Sequence, residues 1–249
     1  MLSLPQAAAH RPQKLPQPSH SQVRARVQEL LQTTGSVVRL GGGPGLPEER
    51  HPTGLDPVDA LLGGGFPRGR LSEIAGPASC GRTSLAHALL AHTTASGELA
   101  CVVDRADAFD PASAQDRGVD LTRVLWARPP GVPEALRCAE HVLRAGGFAL
   151  VLLDLASLGE TPRISSAVWP RMRKLVAATS AACIALTHQR LIGTFADLAL
   201  ELGEAHPHFE ANPAWLESLE SRVALVRNRQ GQHDRSVPVH WRAPSERAA

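Results

Sequence analysis

Along the chain, short apolar runs alternate with stretches in which apolar residues recur every three or four positions. The runs have the length of buried strands, and the spaced stretches have the pattern of amphipathic helices. The predicted strands are Leu71–Ala75, Ala100–Asp104, Val124–Ala127, Ala149–Leu153, Cys183–Leu186, Asp197–Leu202, Val223–Val226 and Val237–Trp241. The predicted helices run from about Gly81 to His92, over Glu134–Ala145, and through Ile164, Val168, Met172, Leu175 and Val176, with Pro170 either in the first turn or kinking the helix. This alternation predicts an α/β fold with a mostly parallel, twisted sheet, helices on both faces, and a ligand crevice at the carboxyl ends of the strands.

The stretch before the first predicted strand differs in composition from the rest. Residues 1–20 contain four prolines and little else that could pack, which predicts a flexible leader. A helical pattern begins at Ser21 and runs through Leu31; its apolar face predicts burial against its own domain or against another chain. We therefore predict a leader at 1–20, an N-terminal helix and linker at 21–50, a core domain at 51–241 and a tail at 242–249.

The residues from Gly76 to Ser84 form a glycine-rich loop between a predicted strand and a predicted helix. The pattern G-x-x-x-x-G-K-S/T lets backbone amides surround phosphate oxygens, while the lysine reaches the phosphates and the hydroxyl holds Mg²⁺. Gly76, Gly81, Thr83 and Ser84 fit this pattern, but Arg82 stands at the lysine position. An arginine keeps the charge and brings a longer, planar group. The loop is a candidate nucleotide site, or else a glycine turn that only starts a helix.

A carboxylate is expected close to this loop. Asp154 follows the apolar run Ala149–Leu153, so it lies at the carboxyl end of a predicted central strand, where the loop also lies. With Thr83 it could coordinate Mg²⁺ if a Mg²⁺–nucleotide binds, or it could only cap the strand. The candidate cofactor-binding residues are Gly76, Gly81, Arg82, Thr83, Ser84 and Asp154, with ATP and Mg²⁺ as the candidate cofactors.

The composition excludes several classes of protein. The chain has 249 residues, of which 43% are hydrophobic and 20% charged, as in globular proteins. No run is long enough to span a membrane and residues 1–30 lack an apolar signal core, so we expect a cytoplasmic protein without membrane contact. The four cysteines are scattered singly, which argues against a zinc site or a disulfide framework. His206 and His208 could bind a metal, but no further ligands are visible, and we predict a solvated loop there.

Basic residues collect at both ends of the chain, although the formal net charge is only +2. Residues 1–28 contain four lysines and arginines and no acid, and residues 222–249 contain six arginines against two acids. Such ends suit nucleic acid or an acidic protein surface, or they are simply solvated.

Several separated segments resemble the recombinase RecA. Gly35–Gly41 is similar to that family's G-S-I-M-R-L-G segment, and Thr53–Arg70 is similar to the segment that leads into its phosphate loop. Glu73–Pro77 resembles the family's E-I-Y-G-P, and the resemblance continues through Asp110-Pro111 and Gly118–Asp120. It is strong over residues 35–155 and weaker up to residue 241. The resemblance implies a RecA-like core.

Four positions depart from RecA's reaction centre. Arg82 replaces the loop lysine, and Ala106 stands where the family has a glutamate that orients water. Ser113 stands where a tyrosine packs on adenine, and Thr187-His188 where a glutamine senses the γ-phosphate. Phosphoryl transfer depends on positioning and electrostatics, so the resemblance implies a chain without catalytic residues. Binding of ATP and Mg²⁺ without hydrolysis is possible, but no cofactor is expected.

The regions that contact DNA in RecA are also reduced. Only Gly159–Arg163 and Gln189–Thr194 stand in place of its two DNA loops, and no counterpart of its C-terminal domain follows Trp241. Without a long basic loop carrying stacking groups, strand exchange is not expected, and direct DNA contact stays an open question.

A shortened RecA-like chain with a degraded nucleotide site is similar to the ImuA family of the bacterial SOS mutagenesis cassette. That resemblance implies a non-catalytic accessory role in damage-induced translesion synthesis. The implied partners are an ImuB-type inactive Y-family polymerase relative, RecA and, indirectly, an error-prone C-family polymerase. The helix Val23–Leu31 and the arginine-rich region Arg222–Arg247 are the candidate contact surfaces. Two alternatives are a DNA-stimulated ATPase that uses Arg82, Thr83 and Asp154, and a SulA-like inhibitor of cell division that binds FtsZ.

Overall fold

A computed structural model of the protein describes residues 49–156, 163–209, 216–229, 231 and 233–242. The predicted leader, the helix Val23–Leu31, the segment Gly35–Gly41 and the tail after Arg242 lie outside the described residues. The helices are α1 (Asp56–Leu62), α2 (Arg82–Ala95), α3 (Pro111–Asp116), α4 (Val132–Ala145) and α5 (Val168–Val176). The strands are β1 (Arg50–His51), β2 (Phe66–Pro67), β3 (Arg70–Ala75), β4 (Leu99–Asp104), β5 (Val124–Ala127), β6 (Phe148–Asp154), β7 (Ala182–Thr187), β8 (Leu198–Leu202), β9 (His206–Phe209), β10 (Leu216–Asn228) and β11 (Arg235–Arg242).

Within the described residues, nine of these strands form one sheet in the order β11-β10-β8-β3-β7-β6-β4-β5, with β9 paired to β10. The strands from β8 to β5 along this order are parallel. The strands β9 and β11 pair antiparallel with β10, which itself runs antiparallel to β8. The parallel strands all end at one edge of the sheet, where the phosphate-loop sequence also lies.

Helices cover both faces of the sheet. On one face, α1 and α2 pack with β10 and β11 in an apolar cluster that includes Leu61, Leu89 and Trp241. On the opposite face, α4 and α5 form a second cluster that includes Leu136 and Met172. Because β6 and β7 lie between the two layers, their residues are buried almost without interruption, as a parallel central strand requires. The predicted α/β fold with a mostly parallel sheet and helices on both faces is confirmed.

Some local predictions need correction. The third predicted helix begins at Val168 rather than near Ile164, and Pro170 lies in its first turn, where a missing amide hydrogen costs no intrahelical bond. Ile164 precedes the helix and packs against the same apolar cluster. His206 and His208 are exposed as predicted but belong to β9, so the prediction of a loop was wrong.

Other elements were not foreseen at their full length. The predicted strand Val223–Val226 is the middle of the much longer β10, whose pairing with β9 and β11 extends it. The helices α1 and α3 were not predicted because each has only six or seven residues, too few for a clear apolar period. The capping of α3 is nevertheless visible in the sequence: Asp110 accepts a hydrogen bond from the amide of Ser113 at the start of this helix.

No helix in the described part of the chain combines the length and the apolar composition that are needed to cross a membrane.

Candidate functional site

The glycine-rich loop connects β3 to α2 at the carboxyl edge of the parallel strands. Gly81 precedes the helix with φ +92°, a left-handed conformation that favours glycine. A Cβ atom at Gly81 would lie 2.4 Å from Nε1 of Trp241, and one at Gly76 would lie 2.7 Å from Sγ of Cys80. Close packing within the protein therefore favours glycine at both positions. The exposed Ser79 between them also has a positive φ, of 59°.

The side chain of Arg82 is bound to the loop that carries it. Its Nη1 atom donates hydrogen bonds to the carbonyl oxygens of Gly76 and Pro77 and, over 3.0 Å, to that of Thr187. Carbonyl oxygens carry partial negative charge, so they satisfy a guanidinium N–H much as a phosphate oxygen would. The cation at the lysine position thus joins the two ends of its own loop to the end of β7.

Thr187 is the centre of this arrangement. Its carbonyl oxygen also accepts the amide of Gly76 over 3.1 Å, and its hydroxyl donates to Oε1 of Glu73 over 3.2 Å. The same Oε1 accepts the amides of Leu191 and Ile192, over 2.6 and 3.2 Å. Glu73 is completely buried, and burial raises its pKa. A single carboxylate therefore fixes β3, the end of β7 and the segment after it.

Asp154 and Asp104 end two neighbouring strands and are paired in register. Burial raises the pKa of Asp154 to about 6, against the lowering effect of the amide of Ala156 and of the nearby Arg82 guanidinium. Asp104 is buried and accepts hydrogen bonds from the amides of Ala108 and Phe109 and from Nε1 of Trp126. The Arg82 guanidinium therefore acts on Asp154, whereas Asp104 is used to fold the loop that follows it.

The other positions singled out in the sequence lie in the loop after β4, in α3 and at the start of α2. Ala106 is exposed in the loop after β4, and Ser113 lies in the first turn of α3, hydrogen-bonded to its capping residue Asp110. Thr83 is exposed and Ser84 is half-buried at the start of α2. Of the predicted site residues, the loop glycines, Arg82 and Asp154 are therefore brought together at one edge of the sheet, and the two hydroxyl residues begin the adjacent helix.

Comparison with known proteins assigns the family. Residues 25–168, more than half of the chain, match the family described as RecA N-terminal domain. The chain belongs to the RecA N-terminal domain family. RecA from Leifsonia xyli subsp. xyli is 40% identical over 121 residues, which are 48% of this chain and 34% of that protein. RecA from Chlorobium chlorochromatii is 32% identical over 174 residues, which are 63% of this chain and 49% of that protein.

A plant relative and a solved structure extend the comparison. The chloroplastic DNA repair protein recA homolog 1 of Arabidopsis thaliana is 40% identical over 129 residues, covering 52% of this chain and 29% of that protein. This chain thus spans half or less of the length of the relatives it matches. The crystal structure of the RadB recombinase is 20% identical with a TM-score of 0.60, covering 77% of this chain and 95% of that one, which supports the fold alone.

Within this RecA N-terminal domain, the side chains do not fit the chemistry of a Mg²⁺–nucleotide. The guanidinium that would meet the phosphates is bound to carbonyl oxygens, and the residue two positions after Asp104 is alanine, which cannot orient water. The backbone of a phosphate loop is nevertheless kept, with a helix N-terminus behind Gly81. Binding of a phosphate group by Gly76, Gly81, Arg82, Thr83 and Ser84 stays a prediction.

Two residues at the centre of the site were missed in the sequence. The resemblance places Glu73 in the E-I-Y-G-P segment but implies no role for it, and it marks Thr187 only as a departure from a glutamine. A signal was present for Glu73, because an ionisable residue inside an apolar strand must find a partner. The contact with Thr187 joins positions 114 residues apart, which no local pattern can reveal.

Proposed function

We propose that the chain is a non-catalytic RecA-like accessory protein of DNA repair, of the ImuA type, acting in damage-induced mutagenic translesion synthesis. In this role it scaffolds or regulates a complex that contains an ImuB-type inactive polymerase relative, with RecA and an error-prone C-family polymerase as further members. The observation that carries the proposal is the binding of the Arg82 guanidinium to the carbonyls of Gly76, Pro77 and Thr187. A RecA-type core is kept while the cation of its reaction centre serves the fold.

The segment that matches RecA's second DNA loop supports a role other than strand exchange. Glu73 holds the amides of Leu191 and Ile192, and the Ile192 side chain is 1% exposed in the apolar cluster beneath α5. A segment fixed in this way has few residues free to wrap a strand. Arg227, farther along the chain, donates to the carbonyls of Ala196 and Thr194, so its charge is also used within the protein.

Reconstitution with purified proteins tests the accessory role. The full chain is mixed with the ImuB-type partner and separately with RecA, and complexes are detected by size-exclusion chromatography. We expect a complex with the ImuB-type partner that forms equally well with and without ATP. A full chain that is folded by circular dichroism but binds neither protein would overturn the proposal.

The two predicted contact surfaces are tested in the same assay. Deletion of residues 1–33 removes the predicted helix Val23–Leu31 and is expected to abolish binding to RecA. Truncation after Arg222 also removes nearly half of β10 and all of β11, so it is expected to unfold the domain. Reversal of the exposed Arg235 to Glu is the better test of that region. Unchanged binding of both partners by these variants would exclude both surfaces.

A DNA-stimulated ATPase is the second candidate. It is favoured by the kept loop backbone and by the proximity of Arg82 to Asp154, whose charges interact. Calorimetric titration of the full chain with ATP and Mg²⁺ separates the candidates. The accessory role predicts no hydrolysis with or without DNA, whereas hydrolysis that is lost in Arg82→Ala would favour the ATPase.

A further inference from the structure

A groove lies between α4 and α5, on the face of the sheet opposite α1 and α2. Its volume is 340 Å³, at the lower end of the range of about 300–1,000 Å³ that is usual for ligand pockets. Its floor is apolar, formed by Val132, Leu136, Ile164 and Val168. Leu136 is buried, whereas the other three are only partly buried, so the floor still exposes apolar surface between the two helices.

Three arginines line the groove around its apolar floor. Arg137 and Arg171 line the groove with side chains that are 64% and 56% exposed, and Arg163 lines it as a third, exposed cation. Arg137 forms an ion pair with Glu134, whose side chain is 40% exposed. Arg163 has no carboxylate partner among the described residues. Among the described residues, three lining arginines thus face two carboxylates, Glu134 and the buried Glu140, which leaves a net positive charge at the groove.

The position of Arg171 is fixed from below. Its Nη2 and Nε atoms lie 2.6 and 2.7 Å from Oε1 of Glu140, a carboxylate on α4 whose side chain is only 8% exposed. Arg144, one turn farther along α4, approaches the other oxygen of Glu140 over 3.4 Å. A guanidinium held by a buried carboxylate loses little conformational entropy when its remaining N–H groups bind a ligand. Arg171 is therefore pre-organised for binding.

We propose that this groove binds a short segment of a partner protein that presents leucine-like side chains flanked by carboxylates. The apolar floor takes the side chains, and Arg137, Arg163 and Arg171 take the carboxylates, which is the complementarity that the surface itself defines. The proposal rests on the accessory function, because it names the chemistry of the segment through which a partner would be held. It uses a surface distinct from the glycine-rich loop.

A synthetic helical peptide with alternating pairs of glutamate and leucine serves as the probe. Its binding to the full chain is measured by fluorescence anisotropy, next to two control peptides in which lysine replaces glutamate or serine replaces leucine. We expect binding of the first peptide only, and weaker binding as salt is raised, since exposed charges are screened. Failure of the chain to bind the first peptide, or equal binding of the serine peptide, would overturn the proposal.

Two charge reversals on the chain locate the binding. Arg163→Glu is expected to weaken binding of the glutamate–leucine peptide by about tenfold. The matched control Lys174→Glu changes another exposed cation, which lies on α5 outside the groove, and its effect is expected to stay within about twofold. Equal weakening by both variants would mean general charge attraction and would overturn the groove. A Val168→Ser variant, also expected to weaken binding, checks the apolar floor independently.

The same variants distinguish this proposal from the accessory function. If Arg163→Glu and Val168→Ser lose the peptide but bind the ImuB-type partner as before, the groove is not the partner's site and the accessory role stands. If the unmodified chain binds the peptide but neither partner, the accessory role fails, while the groove is still a site for acidic, leucine-containing peptides. Loss of both in the groove variants, with Lys174→Glu unaffected, supports the proposal in full.

Discussion

Arg82 and Thr187 lie 105 residues apart in the chain, and the guanidinium of the first donates a hydrogen bond to the carbonyl oxygen of the second over 3.0 Å. The contact joins the start of α2 to the end of β7. The phosphate-loop pattern predicts that the side chain at position 82 faces a phosphate. Here the charge is used to hold the carboxyl edge of the sheet together, and this changes what a mutation at the position should do.

Replacement of Arg82 by alanine is expected to destabilise the protein without any ligand present. Hydrogen bonds made by charged groups contribute about 1.5–3 kcal/mol each, so we expect the free energy of unfolding to fall by about 2 kcal/mol. Arg82→Lys should give a smaller loss, because lysine keeps the charge but not the planar fork. The measurement is denaturant unfolding followed by circular dichroism.

Thr83→Ala is the control for that experiment. Thr83 is exposed and begins the same helix, so its replacement is expected to change the free energy of unfolding by less than about 0.5 kcal/mol. Equal effects of Arg82→Ala and Thr83→Ala would show that the bonds to Gly76, Pro77 and Thr187 do not stabilise the domain.

Gly81 allows the steric role of the loop to be measured. Gly81→Ala should be strongly destabilising because its Cβ would meet the Trp241 indole at 2.4 Å and because φ is +92°. Gly118→Ala is a matched control, since Gly118 has φ +88° and open space where a Cβ would be. We expect about 1–2 kcal/mol for the control, from the backbone alone, and about 1–3 kcal/mol more for Gly81→Ala.

A double mutant completes the test. Trp241→Ala removes the ring that obstructs a Cβ at position 81, so Gly81→Ala should cost less in that background than in the unmodified protein. Additive effects of the two substitutions on thermal or denaturant unfolding would contradict packing of Trp241 against the loop.

The sequence predicted the parallel strands and the long helices well because each carries its own periodic signal. The run that forms β6 and the spaced apolar residues of α4 are examples, and both were assigned nearly to their ends. The α/β class follows from their alternation. The antiparallel end of the sheet was harder, because β9 contains His206 and His208 and is exposed throughout, which leaves no apolar alternation to detect.

The candidate site was predictable in its residues but not in its contacts. The spacing of Gly76, Gly81 and Arg82 identified the loop, and the end of a buried run identified Asp154. That the arginine turns to carbonyl oxygens could not be predicted, because one of them belongs to Thr187, which arrives from a distant strand. Contacts of this kind depend on tertiary packing, which local propensity does not record.

Glu73 gives a prediction about pH. Burial raises its pKa above the ordinary value of 4.5, so the folded state holds the proton more tightly than the unfolded state. Its contribution to stability is therefore present below about pH 4.5 and is lost as the pH rises through the raised pKa. Glu73→Gln removes this titration, and the free energy of unfolding of the variant relative to the unmodified protein should rise with pH across that window.

Glu73→Ala provides the contrast. It removes the acceptor of the Leu191 and Ile192 amides at every pH, so it should be destabilising by about 1–3 kcal/mol for each group left unsatisfied. Unfolding measured across the acidic and neutral range separates the two variants. If Glu73→Gln were as destabilising as Glu73→Ala at all pH values, the oxygen Oε1 would not be the group that holds the segment.

His87 gives the opposite dependence on pH. Its side chain on α2 is 4% exposed, and neither ring nitrogen has a hydrogen-bond partner among the described residues. The ring packs edge-on against Phe109, with centroids 5.8 Å apart. Burial, helped by the charge of Arg117 and opposed by that of Asp110, lowers the pKa of His87 to about 4. The folded state therefore keeps this histidine neutral where the unfolded state already binds a proton.

His87→Leu is expected to be neutral or mildly stabilising at about pH 7, because two unsatisfied buried polar atoms disappear. Between the unfolded pKa of 6.5 and the folded pKa of about 4, the unmodified protein loses stability as the pH falls, and the variant does not. The advantage of His87→Leu should grow by up to about 3 kcal/mol over that range.

His51→Leu is the matched control. Burial also lowers the pKa of His51 to about 4, but its Nε2 atom is hydrogen-bonded to Oγ1 of Thr93 over 2.8 Å. This variant should therefore lose stability at neutral pH. Equal behaviour of the two leucine variants at neutral pH would contradict the unpartnered state of His87.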